Sequence, residues 1–194
     1  MIEQIEALES GEITVVELVE ACLARIDALN DQLNSIVTVN ATDALAQAQA
    51  VDEANSRGEL LPALSGIPIA VKDSIPTDGI RTTDNSRLLQ HWTPDHDASA
   101  VQSLKLNGAI IIGKTNLNEF GWSRPSEADL FPPPWNPWNP DYMSVGSSSG
   151  SGGAASAGMC SAAIGTDGGG SIRLPGGAHG LVGMKPTHGI VSRH

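Results

Sequence analysis

Apolar positions recur along this chain first with a helical and later with an extended period. Leu18, Cys22, Ile26 and Leu29 return at helical spacing behind Thr14-Val15-Val16-Glu17. There the threonine hydroxyl can accept from an early helical N–H while Glu17 reaches back to the cap. The pattern predicts an amphipathic helix from about Thr14 to Leu29. An alanine-rich helix is expected from near Asp43 to Arg57, stopped by Gly58. Gly66-Ile67-Pro68-Ile69-Ala70-Val71 is a short apolar run bounded by turn residues, which suits a buried strand ending at Lys72-Asp73. Asp97 stands as the N-cap of a helix carrying Val101, Leu104 and Leu106 and closed by Asn107-Gly108. Ala109 to Ile112 reads as a second buried strand, Ala154 to Met159 as one or two helical turns, and Cys160 to Ile164 as a third strand. Helices alternating with short apolar strands indicate an α/β fold. The proline-rich run from Pro132 to Pro140 can be neither helix nor central strand. It reads as a rigid surface or active-site loop, with a ligand for a proline-recognition domain as the other reading.

Composition narrows the function classes. A chain of 194 residues is long enough for one domain with a core, or for part of a larger one. Its formal charge of −11 argues against a large phosphate-binding surface and so against direct nucleic-acid contact. Cys22 and Cys160 are isolated in apolar contexts and read as small buried hydrophobes, not as a disulfide or a metal site. His91 and His96 lie near Asp95 and Asp97, but in a polar loop where turn and cap roles suffice, so no metal is expected. No Gly-Lys-Ser or Gly-Lys-Thr follows the glycine-rich loops and no Gly-x-Gly-x-x-Gly occurs, so no nucleotide cofactor is expected either. A cationic leader and a bilayer-length apolar span are both missing, which makes a cytoplasmic protein without membrane association the expectation.

The candidate chemistry sits in the last third. A loop Gly146-Ser147-Ser148-Ser149-Gly150-Ser151-Gly152-Gly153 is followed by Gly165-Thr166-Asp167-Gly168-Gly169-Gly170-Ser171-Ile172-Arg173. Three consecutive glycines let several backbone N–H groups converge on one point beside a serine hydroxyl. Those are the two parts that acyl transfer needs, a nucleophile and donors for the oxyanion it creates. Ser171 would need a base. None of the five histidines, His91, His96, His179, His188 and His194, stands at a spacing that suggests pairing with it, and a distant histidine stays open. The other route is a lysine neutralised by burial. Of Lys72, Lys105, Lys114 and Lys185, only Lys72 closes an apolar strand, where it either acts as that base or snorkels to water.

Taken together, Gly66 to Ile75, the Ser/Gly loop, Gly-Thr-Asp-Gly-Gly-Gly-Ser-Ile-Arg and the later Gly183-Met184-Lys185-Pro186-Thr187 resemble the amidase signature family of serine hydrolases. The resemblance runs over nearly the whole chain. It implies a mixed sheet covered by helices, of which residues 1–194 form the N-terminal, signature-bearing portion: N-terminal helices over 1–60 and the signature core over 61–194. It also implies Ser171 as nucleophile, Ser147 as bridging serine after a cis peptide bond, and Lys72 as neutral base. The backbone N–H groups of Gly168, Gly169, Gly170 and Ser171 would form the oxyanion hole, with Ser148, Asp167 and Arg173 in support. Ser148 is the rival to Ser147 for the bridge. The substrate class implied is a small-molecule carboxamide, hydrolysed through an acyl-enzyme. The alternative is a non-catalytic fragment or complex-forming subunit, including the glutaminase role of the amidotransferase member of the family; a homodimer or a partner subunit fits either. Several positions depart from the family pattern, which favours paired glycines on each side of the serine pair where this chain has Val145-Gly146 and Ser149-Gly150. Ser149 stands where the family favours glycine, with a strain cost if φ must be positive, and Gly176-Gly177-Ala178-His179-Gly180 replaces a small-aromatic-cysteine stretch.

Overall fold

The structure is a computed structural model that describes residues 1–122 and 129–192. After a first helix, α1 (Ile2–Ser10), the long α2 (Val15–Leu33) starts at the capping box read from the sequence. Thr14 Oγ1 accepts from the Glu17 N–H at 3.1 Å and Glu17 Oε2 accepts from the Thr14 N–H at 2.8 Å. Two further N–H groups of that first turn, those of Val15 and Val16, donate to the Asp52 carboxylate at 2.9 and 3.0 Å. A carboxylate from the neighbouring helix thus completes the cap. At the far end α2 runs one turn past Leu29, and Asn34 closes it in the left-handed conformation (φ 51°). Asn30 then brackets Ile36, accepting from its N–H at 2.8 Å and donating to its carbonyl at 2.9 Å. That turns the chain into β1 (Ile36–Val39), a strand within the segment expected to be helical.

α3 (Ala41–Ser56) ends before Gly58 (φ 71°) and packs Ala44 and Ala48 against Val15, Val19 and Ile110. β2 (Pro68–Lys72) and β3 (Ile110–Thr115) are buried along their whole length. With β4 (Ala162–Ile164) they form a sheet of order β1-β3-β2-β4. β1 pairs with β3 antiparallel, and the other two pairings are parallel. This is the mixed, helix-covered α/β sheet that the resemblance implies. One face carries Ala70 and Ile112 against Cys22, Ile26 and the helix α5 (Ser149–Ser156); Cys160 is buried in the same cluster. The other carries Ile69, Val71 and Ile111 against Ile75, Ile80 and Val101 of α4 (Ser99–Leu106). Among the described residues no helix is long and apolar enough to cross a membrane.

Two expectations are corrected. Asp97 does not cap α4: the helix begins after Ala98, and the Asp97 carboxylate instead accepts from the Asp78 N–H at 2.8 Å and from Lys105 Nζ at 2.9 Å. The helix after the Ser/Gly loop starts at Ser149, five residues before Ala154, and φ at Ser149 is not positive, so serine there carries no left-handed strain. The chain also turns helical again at α6 (Arg173–Ala178), where no helix is legible.

Glycines explain how α5 reaches the sheet. A Cβ at Gly150 would collide with the Asn116 backbone and the Ser35 carbonyl, and one at Gly152 would stand 2.7 Å from His179 Nδ1. The proline-rich segment is a loop pinned by a bridge between Trp135 and Met143 and by Trp138, whose indole N–H donates to the His179 carbonyl at 2.9 Å.

Candidate active site

β2 delivers Lys72 into the interior with no solvent exposure. Its Nζ lies 2.8 Å from Ser147 Oγ and 2.7 Å from Thr166 Oγ1. Burial pushes the amine down to about 8, while the Asp84 and Asp167 carboxylates pull the other way. The Gly146–Ser147 peptide bond is cis.

Ser148 is placed differently. Its Oγ meets both backbone groups of Thr166, accepting from the N–H at 3.2 Å and donating to the carbonyl at 3.3 Å. Its own N–H donates to the Ser171 carbonyl at 3.3 Å. Ser148 therefore ties the Ser/Gly loop to the triple-glycine loop, and the lysine contact belongs to Ser147.

Ser171 is half-buried, and among the described residues its hydroxyl makes no hydrogen bond. The loop before it is organised by Asp167, a side chain shielded from solvent. Oδ1 accepts from the Gly170 N–H at 2.7 Å and from Arg173 Nη2 at 2.9 Å. Oδ2 accepts from the N–H groups of Ile172 and Arg173 at 3.2 and 3.3 Å and from Arg173 Nε at 2.9 Å. The Arg173 guanidinium, with these backbone donors, holds the Asp167 carboxyl well below the usual carboxylate range. Gly170 adopts φ 134°, closed to other residues. Its N–H is engaged by Asp167, while those of Gly168, Gly169 and Ser171 have no partner among the described residues.

Among the described residues no histidine is brought to Ser171. His179 is fully buried, with Nε2 3.0 Å from Ser144 Oγ and Nδ1 2.8 Å from the Pro175 carbonyl. His96 faces Asp95 on the surface, His91 and His188 are exposed, and His194 lies outside the described residues.

A second lysine is as deeply buried as the first. Lys114 has no exposure, and burial pushes it too down to about 8. Its Nζ donates to the Ile75 carbonyl (2.6 Å), Thr77 Oγ1 (3.0 Å) and Thr82 Oγ1 (2.7 Å), with Asp73 Oδ1 at 4.0 Å. Both threonine hydroxyls spend their one proton elsewhere, on the carbonyls of Ile75 and Ile80. All three acceptors must then be fed by the amine, which requires the ammonium form. Around Lys72 the inventory is open: neither Ser147 nor Thr166 has another hydroxyl partner among the described residues. Either hydroxyl can donate to a neutral amine there, so the surroundings of Lys72 accommodate both forms of the amine.

Thr166, Asp84 and Lys114 carry no mark of their roles in the sequence. Thr166 sits inside the triple-glycine motif, and the one available signal is that a desolvated amine needs more than a single hydroxyl partner.

The amidase family profile matches residues 17–194. In Synechococcus sp. (strain CC9311), the A subunit of glutamyl-tRNA(Gln) amidotransferase is 47% identical over 189 residues, covering 97% of this chain and 39% of that protein. Its counterpart in Desulforapulum autotrophicum is 49% identical over 186 residues, 96% of this chain and 38% of that one. Among solved structures, the peptide amidase of Stenotrophomonas maltophilia superposes with a TM-score of 0.90 at 38% identity, over 97% of this chain and 40% of that one. The chain thus spans about two fifths of the length of the relatives it matches, and on the match over residues 17–194 it belongs to the amidase family.

Proposed function

We propose that this chain carries the catalytic centre of an amidase that hydrolyses a carboxamide C–N bond through an acyl-enzyme on Ser171. The observation that carries the reading is the desolvated Lys72 amine in contact with Ser147 Oγ, next to a strut from Ser148 to Ser171. In the first half-reaction Ser171 Oγ attacks the amide carbon and passes its proton to Ser147, whose own proton moves to the neutral amine of Lys72. The oxyanion accepts from the N–H groups of Gly168, Gly169 and Ser171, and that of Gly170 stays with Asp167 to hold the loop. Collapse breaks the C–N bond while the Lys72 ammonium returns a proton through Ser147 to the leaving nitrogen. Water then attacks the Ser171 ester and gives a proton to the same relay, which returns it to Ser171 Oγ as the acyl C–O bond breaks and the carboxylic acid leaves. Thr166 fixes the amine from its second side.

A second reading, a catalytic subunit that works only beside a partner, is favoured by two observations. The Synechococcus and Desulforapulum relatives are subunits of an amidotransferase, which points to glutamine as the amide and ammonia as the product. Alongside β4, which has one strand neighbour among the described residues, runs a groove of about 810 Å³ with Val182 exposed at its edge.

Intact-mass analysis after exposure to a fluorophosphonate tests both. One adduct that maps to Ser171 and vanishes in Ser171→Ala supports a self-sufficient centre. A folded wild-type chain without an adduct rejects that and leaves the partner-dependent reading.

A further inference from the structure

Asp84 stands beside the relay without taking part in it. After Lys72 the chain loops out and returns at Asp84, whose N–H donates to the Asp73 carbonyl at 3.0 Å. Its own carbonyl accepts from the Phe120 N–H at 3.1 Å. Asp84 is thereby bracketed between the end of β2 and the 3₁₀ turn Glu119–Gly121. That turn walls the same chamber: a Cβ on Gly121 would stand 3.3 Å from Ser147 Oγ and 3.9 Å from Lys72 Nζ. Asp84 holds the left-handed conformation (φ 53°), which aspartate and asparagine tolerate better than other side chains.

Its Oδ1 is shielded from solvent and has no hydrogen-bond partner among the described residues. A shielded carboxylate oxygen without a donor is costly unless a positive charge faces it. The neighbouring Glu119 has the same sign, and among the described residues Lys72 is the cation whose charge acts on Asp84. Seen from Lys72, the carboxylates within reach among the described residues are Asp84 and Asp167, and the other described partners, Ser147 and Thr166, are uncharged. Asp167 is already balanced by the two-pronged pairing with Arg173. Among the described residues Asp84 has no such balance.

We propose that Asp84 is a positioning residue for Lys72: a through-space counter-charge that keeps the proton on the amine and sets the pH at which the relay is ready. The relay itself rests on the function proposed above, whereas the charge coupling stands without it. Asp84 favours the ammonium, whereas attack by Ser171 requires the free amine. The carboxylate therefore moves the working range toward alkaline pH, and removing it moves that range toward acid.

The direct test is an NMR pH titration of the whole chain labelled with ¹³C at the lysine Cε positions. Four lysines give four signals, and Lys72→Met assigns the relevant one. In Asp84→Asn the backbone conformation is retained and the Lys72 midpoint is expected to move at least about half a pH unit toward acid. The Lys114 midpoint, on the other face of the sheet, is expected to stay in place. Asp84→Ser serves as the second variant should asparagine disturb the loop. Glu119→Gln, which faces Asp84, is expected to produce the smaller displacement. An unmoved Lys72 midpoint in folded Asp84→Asn and Asp84→Ser, or equal movement of Lys72 and Lys114, overturns the proposal. Fluorophosphonate labelling of the same samples separates the two claims. A displaced midpoint in a chain that never labels keeps the role of Asp84 and removes the relay, and a labelled chain with an unmoved midpoint does the reverse.

Discussion

Lys72 and Lys114 lie on neighbouring parallel strands one register step apart, Lys72 beside Thr115 and Lys114 beside Val71. Their side chains therefore leave the sheet on opposite faces. Lys72 meets hydroxyls that can give or take a proton, and Lys114 meets acceptors that can only take. Two amines with the same burial thus acquire different tasks.

Substitution should separate those tasks. Lys72→Met is expected to slow fluorophosphonate labelling of Ser171 by about 100-fold or more while the melting transition survives. Lys114→Met strands the Asp73 carboxylate and leaves three acceptors unfed, and is expected to cost about 3–5 kcal/mol in urea denaturation. Equal loss of labelling in two equally stable variants would contradict the assignment.

The pH dependence has a sign. Labelling requires the neutral amine, so its rate should rise as pH increases through about 8, where burial has placed Lys72. Stability moves the same way. In the unfolded chain the amine holds its proton up to its ordinary value of 10.5, so between about 8 and 10.5 the unfolded state binds more protons. The Lys72 contribution therefore becomes more favourable across that window. Denaturation curves at pH 8 and pH 10 should show the gain in the wild type and a smaller one in Lys72→Met.

Asp167 should be a local organiser. Asp167→Ala removes an acceptor of five hydrogen bonds from the Gly168–Arg173 segment. Labelling of Ser171 is expected to fall by about tenfold or more with little change in melting temperature, since Arg173 is half-exposed and lies outside the main core. Unchanged labelling would mean that the glycine loop holds its shape unaided.

Gly165 and Gly168 make a contrasting pair. A Cβ at Gly165 would stand 2.6 Å from Ser148 Oγ, so Gly165→Ala should displace the strut to Thr166 and lower both stability and labelling. At Gly168 nothing lies within 4 Å of an added Cβ and φ is not positive, so Gly168→Ala should melt with the wild type. Thermal denaturation of the two variants reads the difference directly.

Where information was local, the sequence was legible. The Thr14–Glu17 capping box, the stop at Gly58 and the apolar run into Lys72 each lie within a few residues, and each appears where expected. The losses came where distant residues decide. Asp97 has an ideal cap composition but spends its carboxylate on Asp78, 19 residues away. The acceptors of Lys114 come from a loop 32 to 39 residues earlier, so nothing around Gly113-Lys114-Thr115 distinguishes it from a strand end. α5 starts as Ser-Gly-Ser-Gly-Gly, among the weakest helix formers, and is helical because it is buried from Ser149 to Ala154. For the site, Lys72 and the two loops could be read from residue type and order. The resemblance already implied Ser147 over Ser148 beside the lysine; the contacts of Thr166 and Asp84, made across loops, needed coordinates.

The bare glycines of α5 limit how this centre can be re-engineered. Pockets are usually widened by trimming a side chain, and at Gly150 and Gly152 there is nothing left to trim. Any addition there strikes the Asn116 backbone or His179. Room for change lies elsewhere, at side chains such as Phe120 and Leu174 that already stand in solvent. Substitutions at Gly150 and Gly152 are therefore expected to cost stability, whereas those at Phe120 and Leu174 are expected to leave the fold intact.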